Sequence, residues 1–235
     1  MTQIDRPVVR LRPNAAAKAI RHGYPWVYDN ELVFDRRTKK IPDGTIVTLE
    51  DNERNPLGTA AYNATSKITC RMLDQDETVD ISYDWIARKL RKALDLRERM
   101  FDQPFYRLIH AEADGFPGVI IDRFGDVAVV QPNAAWADML VDTIVQALCD
   151  VTWVQTVIKN ASGSARSLEG LDDENSVAVG TLPTAPIPVL MNGATYMADV
   201  AGGQKTGLYF DQRPNHAFAA SLSKGADVLD VFSHV

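Results

Sequence analysis

Two kinds of order alternate along this sequence, and together they predict a mixed α/β and β architecture in three parts. These are a small N-terminal β-barrel, a central α+β domain, and the opening hairpin and first strand of a further α/β sheet. Residues 8–73 hold short β-branched or aromatic runs separated by polar turns. An amphipathic helix pattern at 81–101 leads into alternating strand and helix patterns up to residue 180. An Asn-Gly pair at 192–193 then sits between two apolar runs, and residues 228–232 (VLDVF) read as a buried strand with an acid near its end.

Composition bounds the class before any motif is read. With 235 residues, 46% of them apolar and 24% charged, the chain is long enough for one large domain or several small ones with real cores. No apolar run approaches the ~18 residues that span a bilayer, and MTQIDRPVVR lacks the apolar core of a secretion signal. A cytoplasmic location and no membrane partner are therefore expected. The two cysteines, Cys70 and Cys149, show neither metal-ligand spacing nor a disulfide framework, and both read as plain buried thiols. Net charge is −6, unevenly spread: residues 1–75 hold 12 Lys+Arg against 9 Asp+Glu, and residues 76–235 hold 13 against 22. A mildly basic front on an acidic body fits nucleic-acid binding by one face, since local positive charge meets phosphates.

Each element has its own signal. Residues 8–11 alternate as a short strand, and Asn14 is placed to cap a helix over 15–21. Pro25 biases Tyr24 away from helix, so 23–26 reads as a loop carrying two aromatics, Tyr24 and Trp26, that favour core packing. Residues 44–49, 57–62 and 67–73 are strands divided by polar turns. The acidic stretch 74–80 (DQDETVD) marks a domain boundary, giving units at 1–75, 76–185 and 186–235. On the helix at 81–101, Tyr83, Ile86, Leu90, Ala93, Leu94 and Arg97 fall on a 3.6-residue repeat, and Pro104 stops it. Strands follow around turns at 114–118 and 124–126. His110, Glu112 and Asp114 are too few and wrongly spaced for a metal site, so none is expected. A second amphipathic helix is predicted over 134–148, a strand over 151–158, and a polar, mobile loop over 162–175. The hairpin 187–200 precedes GGQKTGLYFDQRPNH (202–216), a helix over 216–223, and the strand at 228–232.

KTGLYFDQR, followed about fifteen residues later by VLDVFS, resembles the methyltransferase opening of the bacterial 23S ribosomal RNA large-subunit methyltransferase I family. GYPWVY at 23–28, GTAAYNATSKITCRML at 58–73 and YRLIHAEADGFPGVIIDRFG at 106–125 agree with it in order. The resemblance implies a PUA domain at the N-terminus and a Rossmann-like class I methyltransferase domain opening at 186. It implies S-adenosylmethionine as cofactor and cytosine C5 of ribosomal RNA as substrate. It also implies that the pattern continues past residue 235 with a glycine pair, further strands, a Pro-Pro motif and the reactive cysteines. The chain is therefore expected to be an N-terminal portion, without a catalytic residue of its own and inactive by itself.

By the same resemblance Lys205, Gly207, Tyr209, Asp211, Gln212 and Arg213 line the cofactor and substrate cleft, with Asp230, Phe232 and Ser233 at the first strand. Arg213 is left to pair with Asp211, as a buried ion pair holding the hairpin, or with an RNA phosphate. The barrel's candidates for phosphate contact are Arg10, Arg12, Lys18, Arg21, Arg36, Arg37, Lys39 and Lys40. Two other readings stay open: an RNA-binding or ribosome-assembly module without catalysis, and a class I methyltransferase with another substrate. A homodimer is left open. A nicotinamide enzyme is disfavoured, because no G-x-G-x-x-G follows a strand.

Overall fold

The computed structural model describes residues 5–203 and 206–231. Its first sheet is built from β1 (Val8–Arg10), β2 (Trp26–Tyr28), β3 (Ile46–Glu50), β4 (Pro56–Tyr62) and β5 (Ile68–Asp74), in the order β1-β3-β4-β5-β2. The sheet curls until its two edges meet. Leu11 bridges Leu32, Arg12 N–H donates to Glu31 O at 2.8 Å, and Val33 N–H donates to Arg10 O at 2.9 Å. Curling removes exposed strand edges and gives the alternating inward residues a shared interior. Val9, Leu11, Val27, Leu32, Val47 and Leu49 meet there, each almost wholly buried. The barrel expected from the strand spacing is thus present.

Two local readings in this part are corrected. The first helix, α1 (Ala17–Arg21), starts at Ala16 with no side-chain cap, so Asn14 does not cap it. The loop read at 23–26 ends one residue sooner: Trp26 opens β2, which pairs antiparallel with β5, and alternation through Val27 buries that side chain in the barrel. Tyr24 is 42% exposed, and Trp26 is half-buried with its indole turned to the second domain, so neither is plain core.

The second sheet runs β10 (Ser176–Val179), β9 (Thr156–Lys159), β8 (Val127–Pro132), β7 (Val119–Phe124), β6 (Phe105–His110). Only β8 and β9 pair parallel, and the helical connection between them supplies the crossover a parallel pair requires. That connection is two helices, α3 (Ala135–Met139) and α4 (Val141–Thr152), broken at Leu140 where one continuous helix was expected. Because α4 runs to Thr152 and ends on Trp153 in the left-handed region (φ 60°), the next strand begins at Thr156 and not at 151. The long helix α2 (Tyr83–Met100) packs beside α4 on one face of this sheet, burying Trp85, Ile86 and Leu90. Trp85, Phe116 and Trp136 form an aromatic cluster with ring centroids 5.4 to 6.3 Å apart.

All six residues of β8 are buried, which fits a strand covered on both faces. Ala128 and Val130 face the helices; Val127 and Val129 face a third core. That core is filled by the hairpin β11 (Ile187–Met191) and β12 (Ala194–Ala198) with Leu208 and Phe210. Asn192 and Gly193 take φ of 55° and 76°, the pair of positive angles a two-residue hairpin turn needs. The loop at 162–175 is corrected: it contains the short helix α5 (Ser164–Ser167) and two buried charged residues, Arg166 and Glu169. The last helix, α6 (Arg213–Leu222), starts three residues before the predicted 216. The strand expected at 228–232 is not formed among its described residues 228–231. No neighbouring strand offers a ladder, and Leu229 is 86% exposed.

Candidate functional site

The candidate segment is held to the second sheet by one carboxylate. Asp122, on β7, is fully buried and accepts from Arg107 Nε at 2.8 Å and Nη2 at 3.0 Å, a bidentate pairing. It also accepts from the Thr206 hydroxyl at 2.6 Å. Burial lowers the Arg107 pKa, but Asp122, with Asp211 nearby, outweighs that and leaves it raised. A buried charge needs such partners, since an unpaired one costs several kcal/mol.

Upstream of Thr206 the chain folds around Asp199. The Asp199 carboxylate accepts from the N–H groups of Ala201 (3.1 Å) and Gly202 (2.9 Å), and Gly203 N–H donates to the Asp199 carbonyl at 3.0 Å. Gly207 returns to the same place with φ +100°, where a Cβ would lie 2.7 Å from Asp199 O. Only glycine fits that angle and that approach. Downstream, Leu208 and Phe210 are buried in the third core, and Phe210 stacks on Phe124 with centroids 5.1 Å apart.

The structure therefore brings Gly207, Tyr209, Asp211, Gln212 and Arg213 together in one turn, through Phe210–Gln212 into α6. Tyr209 and Gln212 are half-buried and Asp211 is exposed. The Gln212 amide donates to Asp211 at 3.3 Å and accepts from Asn215 at 2.9 Å. Of the two partners left open for Arg213, Asp211 is not the one it takes within the chain. Arg213 lies over the Phe101 ring at 4.3 Å and donates to the Phe105 carbonyl, ending at the edge of β6, and burial lowers its pKa. A planar guanidinium stacks well on an aromatic face, and an ion pair with an exposed carboxylate adds little. Asp230 is exposed and joins none of these contacts. Lys205, Phe232 and Ser233 lie outside the described residues.

The basic candidates of the barrel divide in two. Arg10 pairs with Glu50 at 2.9 Å, Arg21 pairs with Asp51, and Arg12 Nε donates to Leu32 O at 2.8 Å. Lys18, Arg36, Arg37, Lys39 and Lys40 are exposed and form no ion pair among the described residues. Arg71, Arg107, Arg166 and Glu169, all structurally central, were missed as sites; the first two lie on β5 and β6 and the others in the 162–175 stretch, and a lone charge in either setting carries no local signal of its distant partner. Neither cysteine is an activated nucleophile. Cys70 is fully buried and its thiol pKa is pushed well up by that burial, and Cys149 is raised for the same reason.

A barrel curled over one shared core, joined to a mixed sheet, defines the first part as a PUA-like domain: the family model of that description matches residues 9–75. Over nearly its whole length, barrel included, the chain is 37% identical across 222 residues to ribosomal RNA large subunit methyltransferase I of Alteromonas mediterranea. It is 33% identical over 229 residues to the protein of that name in Shewanella denitrificans. These matches cover 92% and 96% of this chain but 55% and 57% of the relatives, so the chain spans about half their length. Among solved structures, a protein assigned as a SAM-dependent methyltransferase from Streptococcus mutans superposes with TM-score 0.74 at 20% identity. A second protein assigned as a methyltransferase, solved with SAH, does so at 0.71, also at 20% identity. Both cover 90% of this chain, with 53% and 52% of their own lengths, and show the fold. The resemblance read from the motifs thus extends over nearly the whole chain.

Proposed function

We propose that this chain is the N-terminal part of an S-adenosylmethionine-dependent methyltransferase that makes 5-methylcytosine in 23S ribosomal RNA. The observation that carries the reading is its similarity, over 92% of its length, to ribosomal RNA large subunit methyltransferase I. Residues 1–75 are the RNA-gripping barrel, 76–185 the central domain, and 186–235 the opening of the methyltransferase domain. Gly207, Tyr209, Asp211 and Gln212 present the cofactor-facing turn, and Lys205, Asp230, Phe232 and Ser233 also serve the cofactor. Arg213 acts behind this turn, fixing α6 to β6. Lys18, Arg36, Arg37, Lys39 and Lys40 meet phosphates.

The chemistry implied is addition of a cysteine thiolate to the target ring, methyl transfer to C5, and removal of the C5 proton by a base. Cys70 is unfit for the first step, being fully buried with its thiol pKa pushed well up, and burial raises the Cys149 thiol as well. Residues 1–235 alone accordingly bind RNA and transfer no methyl group.

Nucleoside mass spectrometry of 23S ribosomal RNA from cells lacking the gene tests the reading. One 5-methylcytosine should disappear, and an unchanged count overturns the proposal. For the barrel, the double variant Lys39→Gln, Lys40→Gln should weaken binding of deproteinised 23S ribosomal RNA. It should also lower the slope of log K against log salt by roughly 1 per charge removed. An unchanged slope would place the phosphate contacts elsewhere.

A further inference from the structure

One cavity has no role in the account above. It measures about 530 Å³ and lies between the ends of β9 and β10 on one side and the Asp199 turn on the other. That volume is within the usual range for a small-molecule site and ample for a nucleoside. Its polar lining is Asn160, Ser162, Asn175 and Ser176, and its apolar lining is Ile158, Val177, Leu182 and Val200. Gly202 and Gly203 contribute bare backbone. The side chains that line it among the described residues are uncharged. The hydrogen-bonding capacity is mixed. Asn175 uses its Oδ1 to accept from Ala161 N–H at 2.7 Å, leaving its amide N–H₂ as a donor. Ser162 donates its hydroxyl to Asn160 Oδ1 at 2.9 Å, leaving its oxygen as an acceptor, and Ser176 makes no side-chain bond among the described residues. Apolar walls with a few amides and hydroxyls suit a neutral heterocycle with donors and acceptors on its edge.

We propose that this cavity binds a neutral nucleoside. The assignment rests on the reading of the chain as part of an RNA-modifying methyltransferase, which supplies two sources for that chemistry. One is an unstacked nucleotide of the RNA, whose base is read on its edge once it leaves the stack. The other is the adenosine half of the cofactor.

Titrations of the 235-residue chain with free cytidine, free adenosine and inorganic phosphate, followed by amide NMR shifts, test this. Cytidine or adenosine should move the side-chain amides of Asn160 and Asn175 and the backbone amides of Gly202 and Gly203, while phosphate should not. A response to cytidine names the RNA as source, and a response to adenosine alone names the cofactor. Ser176→Tyr, on an exposed edge strand, should fill the cavity and weaken nucleoside binding at least tenfold, whereas Ser176→Ala should weaken it two- to fivefold. No response to either nucleoside overturns the proposal, as does equal binding by a folded Ser176→Tyr variant or an equal response to phosphate. Because the probes are free nucleosides, failure here leaves the cellular 5-methylcytosine result standing, and the reverse also holds.

Discussion

Asp51 shows how one side chain organises a turn and makes it sensitive to acid. Its Oδ1 accepts from the N–H groups of Glu53 and Asn55, each at 2.9 Å, and its other oxygen from the Asn55 amide and Arg21. Burial alone would raise its pKa, but these donors win and depress it to about 2 from 3.8. A carboxyl whose folded pKa lies below its unfolded value contributes stability that is complete above the unfolded pKa and is lost as pH falls through the folded one. The window is therefore from about pH 4 down to about pH 2. Asp51→Asn should flatten the dependence of barrel stability on pH across that window, checked by urea unfolding at stepped pH. Asp122 makes the complementary case in the interior. Asp122→Asn leaves Arg107 without its countercharge and should cost about 3–5 kcal/mol, whereas Thr206→Val removes one bond to a charged group and should cost about 1.5–3 kcal/mol. Equal losses in urea unfolding would mean that the hydroxyl, and not the ion pair, holds the candidate segment.

At the scale of elements, the turn from Asp199 to Gly207 is the least forgiving. Gly207→Ala forces a Cβ into the Asp199 carbonyl at a positive φ, so the segment to Phe210 should loosen while the barrel stays intact. Hydrogen exchange should rise at residues 206–210 and leave β3 and β4 unchanged. The elements legible in the sequence were those with a strong local period or turn chemistry. Four of the five barrel strands, α2 and the Asn-Gly hairpin follow from alternation, a 3.6-residue repeat and paired positive φ. What was not legible depends on distant partners. Nothing local ends α4 at Trp153, breaks the helix at Leu140, or shows that Arg166 will be 1% exposed, donating to the Pro132 carbonyl at 2.6 Å and to Asp138 at 2.9 Å. The strand read at 228–232 illustrates the converse, since an apolar run becomes a strand only where a ladder receives it. The site divides likewise: the KTGLYFDQR motif located the turn, but Asp122, the residue that anchors it, lies 84 positions earlier than its Thr206 partner.

The whole molecule depends on one junction, where the barrel meets the second domain through Arg71. Its guanidinium reaches Glu112 at 3.1 Å and Glu169 at 2.8 Å, two carboxylates from separate loops of the second domain. Trp26 of the barrel donates to the same Glu112 oxygen at 2.8 Å, and Asn63 donates to Glu169 through both its carbonyl (3.0 Å) and its carboxylate (2.9 Å). Ala61 and Leu73 of the barrel are buried in the second domain's core, so apolar contact flanks the polar clamp. If the clamp couples the two units, the native chain unfolds in one transition. Arg71→Met should then orphan Glu112 and the nearly buried Glu169 at a cost of about 3–5 kcal/mol. The barrel amides of β2–β5 should consequently exchange at lower free energy than those of β6–β8. The triple variant Arg71→Met, Glu112→Gln, Glu169→Gln separates charge from shape, because it removes the orphaned carboxylates and keeps their volume. It should recover most of the lost stability but not the common transition, since neutral amides next to a methionine no longer tie the barrel to one orientation. Should the triple variant unfold in a single step, the apolar contact through Ala61 and Leu73 is what joins the halves, and the arginine serves only to neutralise the carboxylates it touches.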